Sequence, residues 1–93
     1  MTGETLVRVS PAALARDVAG ESVLLNVETG EYFSLDAIGT RVWRLIEERG
    51  RFADVCATIV QEYDVSPEVA TRDIEDLVSA LASRRLVIVE PRP

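Results

Sequence analysis

Residues 24–46 read LLNVETGEYFSLDAIGTRVWRLI, and their reading decides the fold. Residues 22–27 carry Val23, Leu24, Leu25 and Val27. A run apolar nearly throughout fits a strand covered on both faces. Glu28-Thr29-Gly30 is a turn, and Gly30 can enter the left-handed region that ends a three-residue hairpin loop. Residues 31–35 return as a strand, with Tyr32 and Ser34 on one face and Phe33 and Leu35 on the other. Asp36 follows at once as a helix N-cap. The first helix covers residues 37–48, with Ile38, Val42, Leu45 and Ile46 on one stripe and Trp43 beside it. Gly39 lies inside that helix, where glycine costs about 1 kcal/mol against alanine. Either the neighbouring strand approaches it closely or the first turn merely tolerates it.

Upstream, residues 5–9 read as a first strand, which Pro11 stops for want of a backbone N–H. Residues 12–15 read as a helical turn or loop. Downstream, Phe52, Val55, Cys56, Ile59, Val60 and Tyr63 recur at three and four, giving a second helix over 52–63. Ser66-Pro67-Glu68 starts a third helix: serine caps, proline fits the first position, and glutamate meets the positive end of the dipole. That helix runs over 67–83, with Ala70, Ile74, Leu77, Val78 and Leu81 as its core stripe. Residues 86–89 form a short apolar end, read as a strand or an extended tail. The expectation is one α+β domain over 1–93, with a sheet at 5–35 and a helical part at 36–89. Its ends, 1–4 and 90–93, should fray. A three-stranded antiparallel sheet followed by three helices is a winged helix-turn-helix-like arrangement.

Composition bounds what such a domain does. The 93 residues include ten arginines, no lysine, sixteen carboxylates and no histidine, for a net charge of −6. A domain this small buries only about two-thirds of its unfolded surface. No apolar run approaches the roughly 20 residues of a membrane span. The first residues lack a basic start with an apolar core, so the expectation is a cytoplasmic protein with no membrane partner. Cys56 is the one cysteine. It reads as a small buried hydrophobe, because a nucleophile needs an activating base that this chain does not offer. Without histidine, zinc would fall to carboxylates and one thiol, a poor donor set. The five glycines are scattered, so no phosphate-binding loop exists. Asp73 and Asp76 share a helical face but read as solvated charge. The expectation is no enzyme, no catalytic residue, no metal and no cofactor.

A winged helix often reads DNA with its third helix. Here that helix carries Glu68, Asp73, Glu75 and Asp76 against Arg72, and carboxylates repel phosphates. The expectation is therefore no nucleic-acid partner. The other use of such a scaffold is strand addition. An edge strand presents unpaired N–H and C=O groups, and an extended peptide can pair with them. Glu31, Tyr32, Phe33, Ser34 and Leu35 are the candidate edge, with one aromatic ring filling the core and the other lining a groove. The plain alternative is that Tyr32 is an ordinary half-exposed sheet residue.

Leu24-Leu25-Asn26, Thr29 through Asp36, Gly39 and Trp43 resemble the PqqD-like family, as do Glu62-Tyr63-Asp64-Val65, the segment 73–77 and the end 81–86. The similarity spans about residues 20–89, through the order and spacing of ordinary residues rather than one diagnostic motif. Asp36 stands where the family resemblance leads one to expect asparagine, and caps a helix equally well. The resemblance implies a recognition element for ribosomally made, modified peptides. The precursor's leader adds as a strand and lies in a groove walled by the third helix. Carried onto this chain, Glu31, Tyr32, Phe33, Ser34 and Leu35 pair with the leader, while Val69, Arg72, Asp73, Asp76, Leu77 and Ala80 form the wall. The resemblance favours the free-standing lasso-peptide type, whose partner is a leader peptidase or other modifying enzyme. Alternatives are a peptide chaperone of quinone-cofactor synthesis, a DNA-binding winged helix, and a structural or dimerisation subunit. A proline at Phe33 or Ser34 is expected to abolish leader binding by removing a ladder donor, with the fold left intact.

Overall fold

Eight elements follow in the order β1 (Leu6–Val9), β2 (Ala13–Val18), β3 (Glu21–Asn26), β4 (Tyr32–Leu35), α1 (Ala37–Glu48), α2 (Phe52–Glu62), α3 (Pro67–Ser83) and β5 (Val87–Glu90). The computed structural model describes residues 1–91. The fraying expected for the C-terminal end therefore lies, for residues 92 and 93, outside the described residues. A three-stranded antiparallel sheet with order β2-β3-β4 precedes three helices, as anticipated.

The membership of that sheet differs from expectation. Its first strand is β2, over a segment expected to be helical or irregular. β1 instead pairs with β5 in a separate two-stranded sheet, Leu6 opposite Glu90 and Val9 opposite Val87. The last strand thus returns from the helical half to the N-terminal segment, and Glu90 is held there by Arg8 at 2.7 and 3.2 Å. At the other end, the Met1 ammonium meets Glu75. β2 is exposed along nearly its whole length, so burial imposes no alternation on its sequence. It turns into β3 through Ala19 and Gly20, both at positive φ (54° and 84°). That is the backbone of a tight hairpin, with alanine where asparagine or glycine is usual. β3 alternates, with Ser22, Leu24 and Asn26 buried and Val23 exposed. Its outer face is therefore open, contrary to the reading that both faces are covered. Across that open face Leu14, Leu25 and Tyr32 line up in one row.

The core gathers Leu24, Leu35, Val42, Trp43, Leu45, Phe52, Ile59, Ile74, Val78, Leu81 and Leu86, all buried. Trp43 belongs to the centre of the α1 face rather than its flank. Its indole N–H has no acceptor among the described residues, which sets about 1–3 kcal/mol against the gain from burying the ring. Ile38 departs in the other direction: it is 47% exposed. Leu77 is only partly buried, beside a helix stripe otherwise as expected. Ser66 caps α3 by accepting from the Val69 N–H. Arg41 donates to Glu62 at 2.8 and 2.7 Å, clamping α1 to α2. Those hydrogen bonds hold the Glu62 carboxyl below its ordinary pKa. Their contribution is present at neutral pH and is lost as pH falls through that lowered value. No helix among the described residues is long and apolar enough to cross a membrane.

One buried polar side chain ties the sheet to the helices. Asn26 is fully buried. Its Oδ1 accepts from the N–H groups of Glu28 and Thr29 at 2.9 and 3.1 Å. Its Nδ2 donates to the carbonyls of Arg84 and Arg85, both at 3.1 Å. Two acceptor sites and two donor hydrogens are thereby used, the full capacity of an amide. Those carbonyls belong to the end of α3, where Arg85 sits at φ 58° and the Leu86 N–H donates back to Leu81. The chain thus reverses out of α3 through a left-handed residue that is not glycine.

Asn26→Asp should lower stability by about 3 kcal/mol at neutral pH, because a carboxylate then faces two carbonyl oxygens without a proton to donate. The introduced acid's pKa would be raised in the folded state, so the loss should shrink as pH falls and the group protonates. Urea midpoints measured across pH 4 to 7, against wild type, check both the size and the direction.

Candidate functional site

β4 pairs with β3 alone, so its second edge is unpartnered among the described residues. Which groups it offers follows from the ladder. The Asn26 N–H donates to the Glu31 carbonyl at 2.9 Å, and Gly30, at φ 80°, donates to Asn26 at 2.7 Å. Hydrogen-bonded pairs alternate in an antiparallel ladder. Leu24 opposite Phe33 and Ser22 opposite Leu35 are thus bonded pairs, while Tyr32 and Ser34 lie between them. The N–H and C=O groups of Tyr32 and Ser34 consequently point to the free edge. Those of Phe33 and Leu35 point into the sheet.

The side chains alternate as the period of two requires. Leu35 is buried and Phe33 packs half-buried against the core. Tyr32 is 66% exposed on the outer face of the sheet, beside Leu25 and Leu14, so its ring does not line the groove between sheet and helices. Glu31 precedes β4 and serves through its carbonyl.

Beside the edge runs an open groove of about 500 Å³, lined by Ser34, Leu35, Asp36, Ile38, Gly39, Val42, Asp73, Ile74 and Leu77. Its floor depends on a close approach at Gly39. A Cβ there would lie 3.2 Å from Leu35 Cδ2 and 3.2 Å from Asp36 Oδ1, tight enough that the strand end would have to give by a few tenths of an ångström. This decides the question left open at Gly39 in favour of close approach. Asp36 accepts from the Gly39 N–H at 2.7 Å and starts α1 directly at the end of β4.

Of the α3 residues expected to form a wall, Asp73 and Leu77 line this groove. Val69, Asp76 and Ala80 are not among its lining residues. Arg72 faces elsewhere, beside Pro67, Glu68 and Glu75, with its Nε 3.6 Å from Asp73 Oδ1. The helical period explains the split. Residues 73 and 77 lie next to the buried stripe 70, 74, 78 and 81, whereas 72 and 76 are turned further round.

Sequence reasoning missed two residues of the site. Ile38 fits the apolar stripe of α1 by spacing, but in the first turn that stripe has not yet reached the core, and its side chain faces the groove. Arg84 carried no signal beyond being basic. Its Nη1 donates to the Tyr32 carbonyl at 3.2 Å, and its guanidinium lies 5.1 Å from the centre of the Phe33 ring. The site is thus bounded by carboxylates at the Leu35 end, Asp36 and Asp73, and by a cation at the Tyr32 end.

A second cavity of about 550 Å³ lies away from β4, lined by Met1, Phe52, Ala53, Cys56, Val60 and Pro67 among others. It borders no unpaired strand. Burial pushes the Cys56 thiol above its ordinary pKa, which disfavours the thiolate that nucleophilic chemistry needs. Among the described residues no group of three or more carboxylate or thiol side chains is placed to hold a metal ion.

Residues 21–87 match the family described as Coenzyme PQQ synthesis protein D (PqqD). No curated protein sequence matches the chain. Among solved structures, TbiB1 in complex with the TbiA(beta) leader peptide is similar, with 39% identity and a TM-score of 0.81 over 86% of this chain and 93% of that one. A lasso peptide synthetase B1 complexed with the leader peptide is also similar, with 27% identity and a TM-score of 0.79 over 88% and 96%. With its fold, its matched span and these two likenesses in agreement, the chain belongs to the PqqD family.

Proposed function

We propose that this protein recognises the leader segment of a ribosomally made precursor peptide. The leader adds as a strand to β4, and the bound precursor is presented to a leader peptidase or other modifying enzyme of lasso-peptide biosynthesis. The observation that carries this reading is the free edge of β4, with the backbone groups of Tyr32 and Ser34 turned outward beside a groove. Backbone pairing supplies affinity that does not depend on sequence, and the groove supplies selection through alternate side chains. Both similar structures hold leader peptides, and one is a lasso peptide synthetase B1, which favours the lasso type over the quinone type.

The mechanism is tethering. Ser34 and Tyr32 hold the leader backbone, Leu35, Ile38 and Leu77 accept an apolar side chain, and the remainder of the precursor extends toward the enzyme. Holding both in one complex raises the local substrate concentration, to about millimolar for a short flexible link. The exposed carboxylates of α3, Glu68, Asp73 and Asp76, are unsuited to lie beside phosphates, which weighs against the DNA-reading alternative.

A fluorescence-polarisation titration with labelled TbiA(beta) leader peptide, and with the leader of a precursor encoded beside this chain, tests the reading. Saturable binding to a leader, with none to a scrambled peptide or a random duplex, is expected. Binding to the duplex alone would contradict the proposal.

The ladder geometry also separates the two proline substitutions. Ser34→Pro removes an outward N–H, so the circular dichroism should stay unchanged while leader affinity falls by at least about tenfold. Phe33→Pro removes a donor aimed at Leu24 and should unfold the sheet instead. Wild-type affinity in folded Ser34→Pro would rule out pairing at this edge.

A further inference from the structure

Arg84 occupies the acceptor that an added strand would need. The Tyr32 carbonyl faces the free edge, and the Arg84 Nη1 already donates to it at 3.2 Å. A strand pairing with β4 brings its own N–H to that oxygen, which has two acceptor sites, so the guanidinium either shares it or shifts aside. The Arg84 side chain is exposed, but its root is fixed. Its backbone is held at the end of α3 by Asn26, through the Arg84 carbonyl at 3.1 Å, and its guanidinium carbon lies over the half-buried Phe33 ring, 5.1 Å from the centre. Among the described residues no carboxylate pairs with Arg84. The guanidinium therefore stays near the Tyr32 end of β4 with donors open to solvent, and its fork matches a carboxylate. At the opposite end Asp36 and Asp73 repel such a group.

Resting on the strand-addition reading above, we infer that Arg84 is a specificity-determining residue, selecting leaders that carry Asp or Glu at the position lying beside Tyr32. The leader's carboxylate takes over the guanidinium as the leader's N–H takes over the Tyr32 carbonyl. The guanidinium thereby gains a charged acceptor, whereas a strand lacking the carboxylate leaves it to water. The acidic end and the basic end of the groove together fix the register, because sliding the leader along β4 moves its carboxylate toward Asp36 and Asp73. The preference concerns position beside Tyr32 and holds for either strand direction.

The test is selection of a random peptide display library on immobilised wild-type protein, Arg84→Ala and Arg84→Glu, each first shown to keep the wild-type circular dichroism. Wild type should enrich peptides with Asp or Glu at one common position. Arg84→Glu should enrich Arg or Lys at that same position, and Arg84→Ala should bind extended peptides without a charge preference there. Should Arg84→Glu fail to fold, the loss of preference in Arg84→Ala decides the matter. A synthetic peptide from the wild-type set should bind Arg84→Glu at least tenfold more weakly than wild type, with the difference narrowing in high salt. Enrichment of the same sequences by all three proteins would overturn the inference while leaving strand recognition in place. Failure of all three proteins to enrich peptides would overturn both.

Discussion

The placement of the β3–β4 hairpin against the end of α3 depends on the four hydrogen bonds of one buried amide. Asn26 closes the β3–β4 turn with its oxygen and holds the last carbonyls of α3 with its nitrogen. A buried polar group is stabilising only when all its partners are present, so the arrangement tolerates little displacement. The turn and the helix end are far apart in sequence, yet their separation in space is set here to hydrogen-bonding distance. That fixes the end of α3 beside the β3–β4 turn. At the other end of β4 lies Gly39, where the strand end and α1 approach so closely that an added Cβ would have to push Leu35 or Asp36 aside by a few tenths of an ångström. Asp36 connects the two by ending β4 and capping α1 in a single residue. An edge strand held at both ends against a helix keeps its outward groups pointing in a defined direction.

An open edge invites pairing with any extended chain. This protein limits that exposure in three ways. β4 is only four residues long. A helix begins immediately after it, so the edge has no continuation. Arg84 satisfies one of its two outward carbonyls from above the Phe33 ring. A cap of this kind contributes little to stability, since the cation is exposed and exchanges readily with water. Its proposed effect is on selectivity, because an exposed guanidinium gains most from a partner that brings a carboxylate.

The helices were legible because their signals were local and redundant. Ser66-Pro67-Glu68 marks the start of α3, Gly50 the end of α1, and the three-and-four spacing of Phe52 through Ile59 marks α2. The β3–β4 hairpin was legible through Gly30, which lies at φ 80°, although Asn26 pairs with Glu31 and the loop is residues 27–30 rather than the three expected. β2 was not legible. It packs almost nothing, so no alternation is imposed on ALARDV, and its turn uses Ala19 at positive φ where the usual signal would be asparagine or glycine. With β2 missing, Leu6–Val9 was placed in the wrong sheet. Its true partner, β5, lies at the far end of the chain, and pairings of that separation leave no local trace. Within the site, Asp73 and Leu77 followed from helical spacing, but that spacing does not say how far round the wall extends, so Arg72 was included and lies elsewhere. Ile38 and Arg84 depend on where helix ends fall relative to the sheet, which is a property of the packing.

The central claim is that β4 presents the backbone of Tyr32 and Ser34, and not that of Phe33 and Leu35, to an incoming strand. Residue-resolved amide hydrogen exchange, with and without saturating TbiA(beta) leader peptide, measures this directly. In the free protein the amides of Phe33 and Leu35 should be protected and those of Tyr32 and Ser34 should exchange quickly. In the complex Tyr32 and Ser34 should become protected while Phe33 and Leu35 stay as they were. New protection confined to β2 or to the outer face of α3, with Ser34 still exchanging quickly, would contradict the account.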